Sequence, residues 1–221
     1  LNLKNIFGEN MVGTFVAFDG GPGSGKGTMI RKTFEYVYGK SKKYDNILVT
    51  DEPTNGPFGL KVRELFKQQK DPKDLADEIL TAFVEDRKWH IENIIKPAIE
   101  KNFVVIADRY KYGSIAYQTV QGSDLNKCVS LNAPLLAPDV AFILDVDPQE
   151  SVRRMNSDKT DAEKRKVTDN FRQLDFVTSL RKYFLQVPSL LPNENIHIID
   201  ANLPIPDVFE KIKLQLDKVL F

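Results

Sequence analysis

A single cysteine, Cys128, stands in the 221 residues of this chain, so no internal disulfide can form and the thiol fits a reducing compartment. Taken alone it reads as a small apolar core residue. Net charge is absent as well, 31 lysines and arginines being balanced by 31 aspartates and glutamates. A dedicated nucleic-acid binder would show a basic excess in that total, so nucleic acid is not an expected partner, although a local basic site is compatible with the balance. No apolar run approaches the roughly 18 residues of a membrane span, and no signal peptide is visible. A membrane partner is therefore not expected, and a cytoplasmic location is. Internal repeats, low-complexity tracts and linkers are missing too, so the length suits one domain over 1–221, with 1–11 as an N-terminal extension.

Glycine, by contrast, is concentrated. The stretch FDGGPGSGKGT, Phe18 to Thr28, holds five glycines in eleven residues. Glycine costs conformational entropy, so such a cluster persists where side chains would obstruct something or where unusual backbone angles are needed. TFVAF before it is β-branched and aromatic and reads as a buried strand, while TMIRKTFEYVY after it has helical spacing. Strand, glycine loop and helix form the context of a phosphate-binding loop. The amides of Gly23, Ser24, Gly25 and Lys26 would point into one concavity at a helix N-terminus, and Lys26 would reach the β- and γ-phosphates of a triphosphate. Gly20 through Lys26 fits G-x-x-x-x-G-K, but Gly27 stands where a hydroxyl is usual, so Thr28 is the expected hydroxyl on the magnesium side. The alternative is a glycine-rich turn that holds nothing, which the flanking elements disfavour.

Near-continuous apolar runs recur at 14–18, 46–50, 103–108, 140–147 and 195–200, with helical stretches between them. Strands buried on both faces read this way, and the alternation predicts an α/β fold of three layers, a five-stranded parallel sheet with helices on both sides. In such sheets ligands gather at the carboxyl ends of the strands. Those ends carry Asp19 with the glycine loop, TDEPT, ADRY, DVDP and IDAN, so Asp19, Glu52, Asp108 and Arg109 should converge on one crevice. Singly, each reads as an ordinary residue at a strand end. The segment from Lys73 to Lys101 is mostly helical, and Phe83 and Arg87, four apart, share a face. Core packing is the plain role for Phe83, but an arginine one turn away also suits a flat base with polar edges. Ser151 to Lys166 is rich in basic residues and poor in apolar ones, which suits either a solvated surface or a short lid over a transferring phosphoryl group, at about 153–168.

FVAFDGGPGSGKGT, VTDEPT, FVEDR, IADRYKYGSIAYQ and APDVAFILDVDPQESVRR occur in the order and at the spacing seen in thymidylate kinases, which phosphorylate dTMP. The chain resembles that family from Val12 to its C-terminus, and DRY with AYQ is its most specific element. The resemblance implies a P-loop kinase fold, ATP as co-substrate, Mg²⁺, dTMP as acceptor and a homodimer. Position by position it implies Gly20, Gly23, Ser24, Gly25, Lys26, Gly27 and Thr28 around the triphosphate, with Arg153 or Arg154 against the adenine. It further implies Arg109 as the clamp on the acceptor phosphate, Asp108 and Asp19 beside the magnesium and its water, and Glu52 and Pro53 at the acceptor. Phe83 would stack on thymine, Arg87 would donate to its O4, Tyr117 would pack under the deoxyribose and disfavour a 2′-hydroxyl, and Gln118 would read the base edge. Arg165 or Lys166 would be the lid cation.

Two positions depart from the family. Asp51 stands in TDEP where many members have an arginine that helps to hold the acceptor phosphate, which calls for another cation, Arg63 or Lys61, or for another acceptor. GPGSGKGT itself resembles adenylate kinases, and Pro22 and Gly23 replace the loop Asp-Arg of some members, consistent with a catalytic cation supplied by the lid. Besides dTMP kinase, the residues leave open a kinase for dUMP, AMP or CMP, a deoxynucleoside kinase with Asp19 as general base, and a nucleotide-binding regulator without turnover.

Overall fold

The five apolar runs form strands: β1 (Thr14–Gly20), β2 (Asn46–Asp51), β3 (Phe103–Asp108), β4 (Val140–Asp145) and β5 (Ile196–Asp200). The structure is a computed structural model and describes residues 13–40, 44, 46–68, 72–157 and 174–221. All strand pairs are parallel, in the order β2-β3-β1-β4-β5. The helices are α1 (Lys26–Lys40), α2 (Pro57–Lys67), α3 (Pro72–His90), α4 (Lys96–Glu100), α5 (Lys111–Val120), α6 (Leu125–Asn132), α7 (Pro148–Ser157), α8 (Leu174–Leu190) and α9 (Ile205–Leu220).

Side chains alternate across the central strands and feed two apolar layers. Phe15, Ala17, Val105, Ala107 and Ile143 meet Ile95, Ile115, Leu180 and Phe184 on one face. Val16, Phe18, Val104, Ile106 and Phe142 meet Met29, Val37, Ile212 and Leu216 on the other. Every residue of β1 is buried, as the three-layer expectation requires. The chain builds β2 and β3 on one side of β1, then β4 and β5 on the other, so the strand order reverses at β1. A crevice opens at the carboxyl ends beside such a strand, and there the glycine loop begins.

Two local differences from the sequence reading have clear causes. β4 stops at Asp145, short of the apolar run, because Asp147 Oδ1 accepts the Gln149 amide at 2.9 Å and starts α7. The helical stretch ending at Glu100 is not one regular helix, because a π-helical turn, Ile91–Ile95, joins α3 to α4. It lies just before Pro97, which has no N–H to donate and whose ring crowds the preceding turn, so a widened turn accommodates it. Residues 1–11 and most of the expected lid, including Arg165 and Lys166, lie outside the described residues, while the lid's beginning is the end of α7.

Candidate active site

The glycine loop turns from β1 into α1 through three residues with positive φ, Gly20 (142°), Gly23 (66°) and Gly25 (87°). Gly23 shows why a side chain is excluded, since a Cβ there would lie 2.8 Å from the Ser151 carbonyl oxygen on α7. The Ser151 hydroxyl donates to the Pro22 carbonyl at 2.7 Å, so α7 clasps the loop from outside. Lys26 is almost wholly buried and its ammonium donates to the carbonyls of Gly20 (2.9 Å) and Gly21 (3.1 Å). Ser24 Oγ is buried without a hydrogen-bond partner among the described residues.

Asp19, one residue before the loop, accepts from the backbone N–H of Tyr110 at 3.0 Å and from that of Gly113, so it caps α5. Gly113 permits this approach, because a Cβ there would meet Asp19 Oδ1 at 2.7 Å. Burial pushes the Asp19 carboxyl up to about 7, against the opposing pull of those amides, Lys26 and Arg109. Burial likewise lowers Lys26 to about 8, assisted by Arg109 and opposed by Asp108 and Asp19. Arg109 has φ 70°, a conformation few non-glycine residues adopt, and its amide donates to the Phe18 carbonyl at 2.8 Å. The strained backbone sits between β3 and α5 and turns the guanidinium to the Tyr117 hydroxyl, with which it hydrogen-bonds. Asp108 Oδ1, next to it, is buried and has no partner among the described residues.

A second constellation stands behind the end of β2. Arg87 and Glu52 are both nearly inaccessible and form an ion pair, with Glu52 Oε2 2.9 Å from Nε and 2.6 Å from Nη2. Ser114 Oγ accepts from Nη2 at 3.0 Å and Asn132 Oδ1 accepts from Nη1. His90 Nδ1 lies 3.0 Å from the other Glu52 oxygen, and His90 Nε2 lies 2.8 Å from Thr50 Oγ1. A buried pair of this kind adds little net stability, but it fixes the guanidinium plane tightly. Four of the five guanidinium hydrogens are engaged, leaving one on Nη1.

These groups border one cleft of about 1080 Å³ at the carboxyl end of the sheet. From the residues expected at the site, it gathers Asp19, Gly23, Ser24, Gly25, Lys26, Gly27 and Thr28 on the loop side, with Arg154. It also gathers Glu52, Pro53, Phe83, Arg87, Asp108, Arg109, Tyr117 and Gln118. Gly20 contributes through its carbonyl contact with Lys26 and is not part of the lining. Arg154 donates to the Ala201 carbonyl at 3.0 Å and pairs with Glu150 at 2.7 Å beside the loop, whereas Arg153 is exposed, pairs with Glu150 and stays out of the cleft. Arg63 donates to the carbonyls of Pro53 (2.6 Å) and Thr54, so it braces the turn after β2 and does not line the cleft. Lys61 and Asp51 are exposed and also lie outside the lining.

The sequence reading missed Arg31, Phe66, Ser114 and Gln121, all of which line the cleft. Helical spacing carried signals for three of them: Arg31 is one turn after Thr28 on α1, while Ser114, Tyr117, Gln118 and Gln121 follow a 3, 4, 7 pattern along α5. Phe66 gave no such signal. Its place depends on α2 packing on α3, which sets its ring edge-on to Phe83 at 6.2 Å.

A parallel sheet whose central strand feeds a glycine loop and a buried lysine, with arginines lining the same cleft and buried Ser24 and Asp108 oxygens that have no partner among the described residues, defines a P-loop nucleotide-binding domain equipped for phosphoryl groups. The family model described as "Thymidylate kinase" matches residues 18–212, and the chain belongs to that family. It is 34% identical over 212 residues to the "Thymidylate kinase" of Desulfotalea psychrophila, covering 96% of this chain and 98% of that one. It is 32% identical to the "Thymidylate kinase" of Caldicellulosiruptor saccharolyticus, covering 95% and 98% of the two chains. The "Probable thymidylate kinase" of Thermococcus kodakarensis is 31% identical, covering 93% and 98%.

Proposed function

We propose that the cleft transfers the γ-phosphoryl group of ATP to dTMP, giving dTDP and ADP. The observation that carries this reading is the meeting, in one cleft, of the glycine loop and Lys26 with an aromatic and amide-bearing wall of Phe83, Tyr117 and Gln118, in a chain of this family. The loop amides and Lys26 hold the β- and γ-phosphates, and Arg154 lies beside the adenine. Arg109 clamps the acceptor phosphate. Phe83 stacks on the base, Tyr117 packs under the deoxyribose, and Arg87, aimed by Glu52, donates to O4. Pro53 shapes the turn at the acceptor side, and Arg63 acts from behind it.

The reaction is in-line. A dTMP phosphate oxygen, already anionic at neutral pH, forms a bond to the γ-phosphorus as the bond from that phosphorus to the β,γ-bridging oxygen breaks, and no covalent enzyme intermediate arises. Lys26, Arg109 and a lid cation, Arg165 or Lys166, neutralise the spreading charge. The donor set fits Mg²⁺ held largely by phosphates and water: Asp108 would offer a buried oxygen that has no partner among the described residues, and Thr28 and Asp19 line the same cleft. When bound, that ion neutralises charge on the phosphates. Arg31, which lines the cleft where Arg63 and Lys61 do not, supplies the cation missing at Asp51. No described helix is long and apolar enough to cross a membrane, and a cytoplasmic location, testable by fractionation, completes the reading.

ADP release by purified protein with ATP, Mg²⁺ and a panel of dTMP, dUMP, AMP, CMP, GMP and thymidine tests the proposal. The expected result is a strong preference for dTMP, with some leakage to dUMP because one methyl group is worth only about 1–3 kcal/mol. In the same assay Arg31→Ala should raise the KM for dTMP and leave that for ATP unchanged. Preference for another monophosphate, or ATP binding without turnover, would overturn the acceptor assignment or the catalytic one respectively.

A further inference from the structure

We propose that His90 is a positioning residue that sets Arg87 for the acceptor base through Glu52, an inference that rests on dTMP being the acceptor and on Arg87 meeting its O4. Arg87 and Glu52 line the cleft, whereas His90, wholly buried at the end of α3, is not part of the lining. The other groups around the guanidinium have little freedom. Asn132 Oδ1 accepts from Nη1 while Asn132 Nδ2 donates to the Cys128 carbonyl at 2.8 Å. A guanidinium only donates and a carbonyl only accepts, so that amide cannot be turned end for end. Ser114 Oγ on α5 accepts from Nη2, and the Tyr110 ring centroid lies 5.4 Å from the guanidinium carbon.

Glu52 is the anchor that can turn. The torsion that rotates a glutamate carboxylate is soft and roughly two-fold, so its hydrogen-bond partners set its plane. Oε2 takes both Nε and Nη2 of Arg87, and among the described residues Oε1 is held by His90 alone, 3.0 Å from Nδ1. A carboxylate paired with Arg87 only accepts, so Nδ1 carries the hydrogen of this contact. The imidazole is fixed in its turn, since Nε2 lies 2.8 Å from Thr50 Oγ1 and a ring turned over would set carbons against both the carboxylate and the hydroxyl. Arg87 and His90, three apart on α3, thus hold the two oxygens of one carboxylate from one helix face. Without the His90 donor, Oε1 is a buried charged oxygen with no partner, and it swings toward the guanidinium. The guanidinium moves with it, and the hydrogen that the proposed function gives to O4 is displaced.

The test uses the full chain and steady-state kinetics with ATP and Mg²⁺, measuring kcat and KM for dTMP and for 4-thio-dTMP, in which a weakly accepting sulfur replaces O4. Wild type should prefer dTMP. His90→Leu, which fills the space without a donor, should raise the KM for dTMP about tenfold and leave that for ATP unchanged. It should also shrink the dTMP-over-4-thio-dTMP ratio of kcat/KM toward equality. His90→Asn places an amide N–H where Nδ1 stands and should restore both values, even though the smaller side chain lowers stability in urea unfolding. Packing alone would move stability and leave the ratio where it was. A wild-type ratio in His90→Leu, or a His90→Asn as poor as His90→Leu, would overturn the positioning role while leaving the dTMP reading intact. If His90→Leu does not fold, His90→Gln replaces it: its amide stands at the reach of Nε2 and serves Thr50, so the ratio should shrink, and a wild-type ratio would overturn the role. Wild type that turns over dTMP and 4-thio-dTMP equally well would overturn the Arg87 contact with O4 and this inference with it.

Discussion

Asp19 and Lys26 lie at the floor of the cleft, 1% and 8% exposed, and each is held against its own solvation. Burial raises the Asp19 carboxyl from 3.8 to about 7, so the folded state binds a proton that the unfolded chain has already released across that interval. Stability therefore falls as pH rises from about 4 to about 7. The effect is bounded at roughly 4 kcal/mol by the size of the shift, which burial causes and which the Gly113 and Tyr110 amides, Lys26 and Arg109 oppose. Asp19→Asn should flatten this part of the profile and gain stability relative to wild type at pH 8, while losing activity. Urea unfolding of both proteins between pH 4 and 8 checks it, and parallel profiles would show that Asp19 does not titrate in this window. Asp19, Glu52, Asp108 and Arg109 were legible at this scale as cleft-lining residues because strand ends in a parallel sheet meet. The internal partners of the site were not. Nothing in the spacing of Glu52, His90 and Asn132 says that all three serve Arg87 or its counterion, since they come from separate elements and meet only after α3 and α6 have packed.

The turn after β2, which the proposed function puts at the acceptor, is held by two helices at once. Thr54 donates its amide (2.8 Å) and its hydroxyl (2.5 Å) to Asp86, a fully buried carboxylate on α3, while Arg63 of α2 holds the Pro53 and Thr54 carbonyls. Gly59 packs its Cα against the same turn, with no room for a Cβ. Removing Asp86 strands two buried donors, so Asp86→Ala should cost about 2–4 kcal/mol of unfolding free energy and raise the KM for dTMP more than that for ATP. Denaturant unfolding and paired KM measurements test this. Equal KM changes would mean that the turn does not shape the acceptor pocket. Element types were readable from apolar runs and helical spacing, whereas the π-helical turn was not, because only Pro97 marks it and proline more often ends a helix than widens one.

At the scale of the molecule, topology puts the chemistry where it is. The reversal of strand order at β1 opens the crevice, the glycine loop lines one part of it, and α3 and α5 bring Phe83, Arg87, Tyr117 and Gln118 to its wall. The family resemblance supplied the acceptor and the residue roles; the alternation of strands and helices supplied the cleft. A homodimer belongs to this reading. Light scattering should give about twice the 25.2 kDa of the chain, and a mass equal to the chain would remove the dimer while leaving the cleft's chemistry untouched.

The central claim is direct transfer from ATP to dTMP in this cleft. With ATP labelled at the γ-phosphate, Mg²⁺ and dTMP, the label should appear in dTDP and nowhere else, and Arg109→Ala should slow its appearance about 10²- to 10³-fold while the protein stays folded. Label released as free phosphate, or dTDP formed at the wild-type rate without Arg109, would contradict the account.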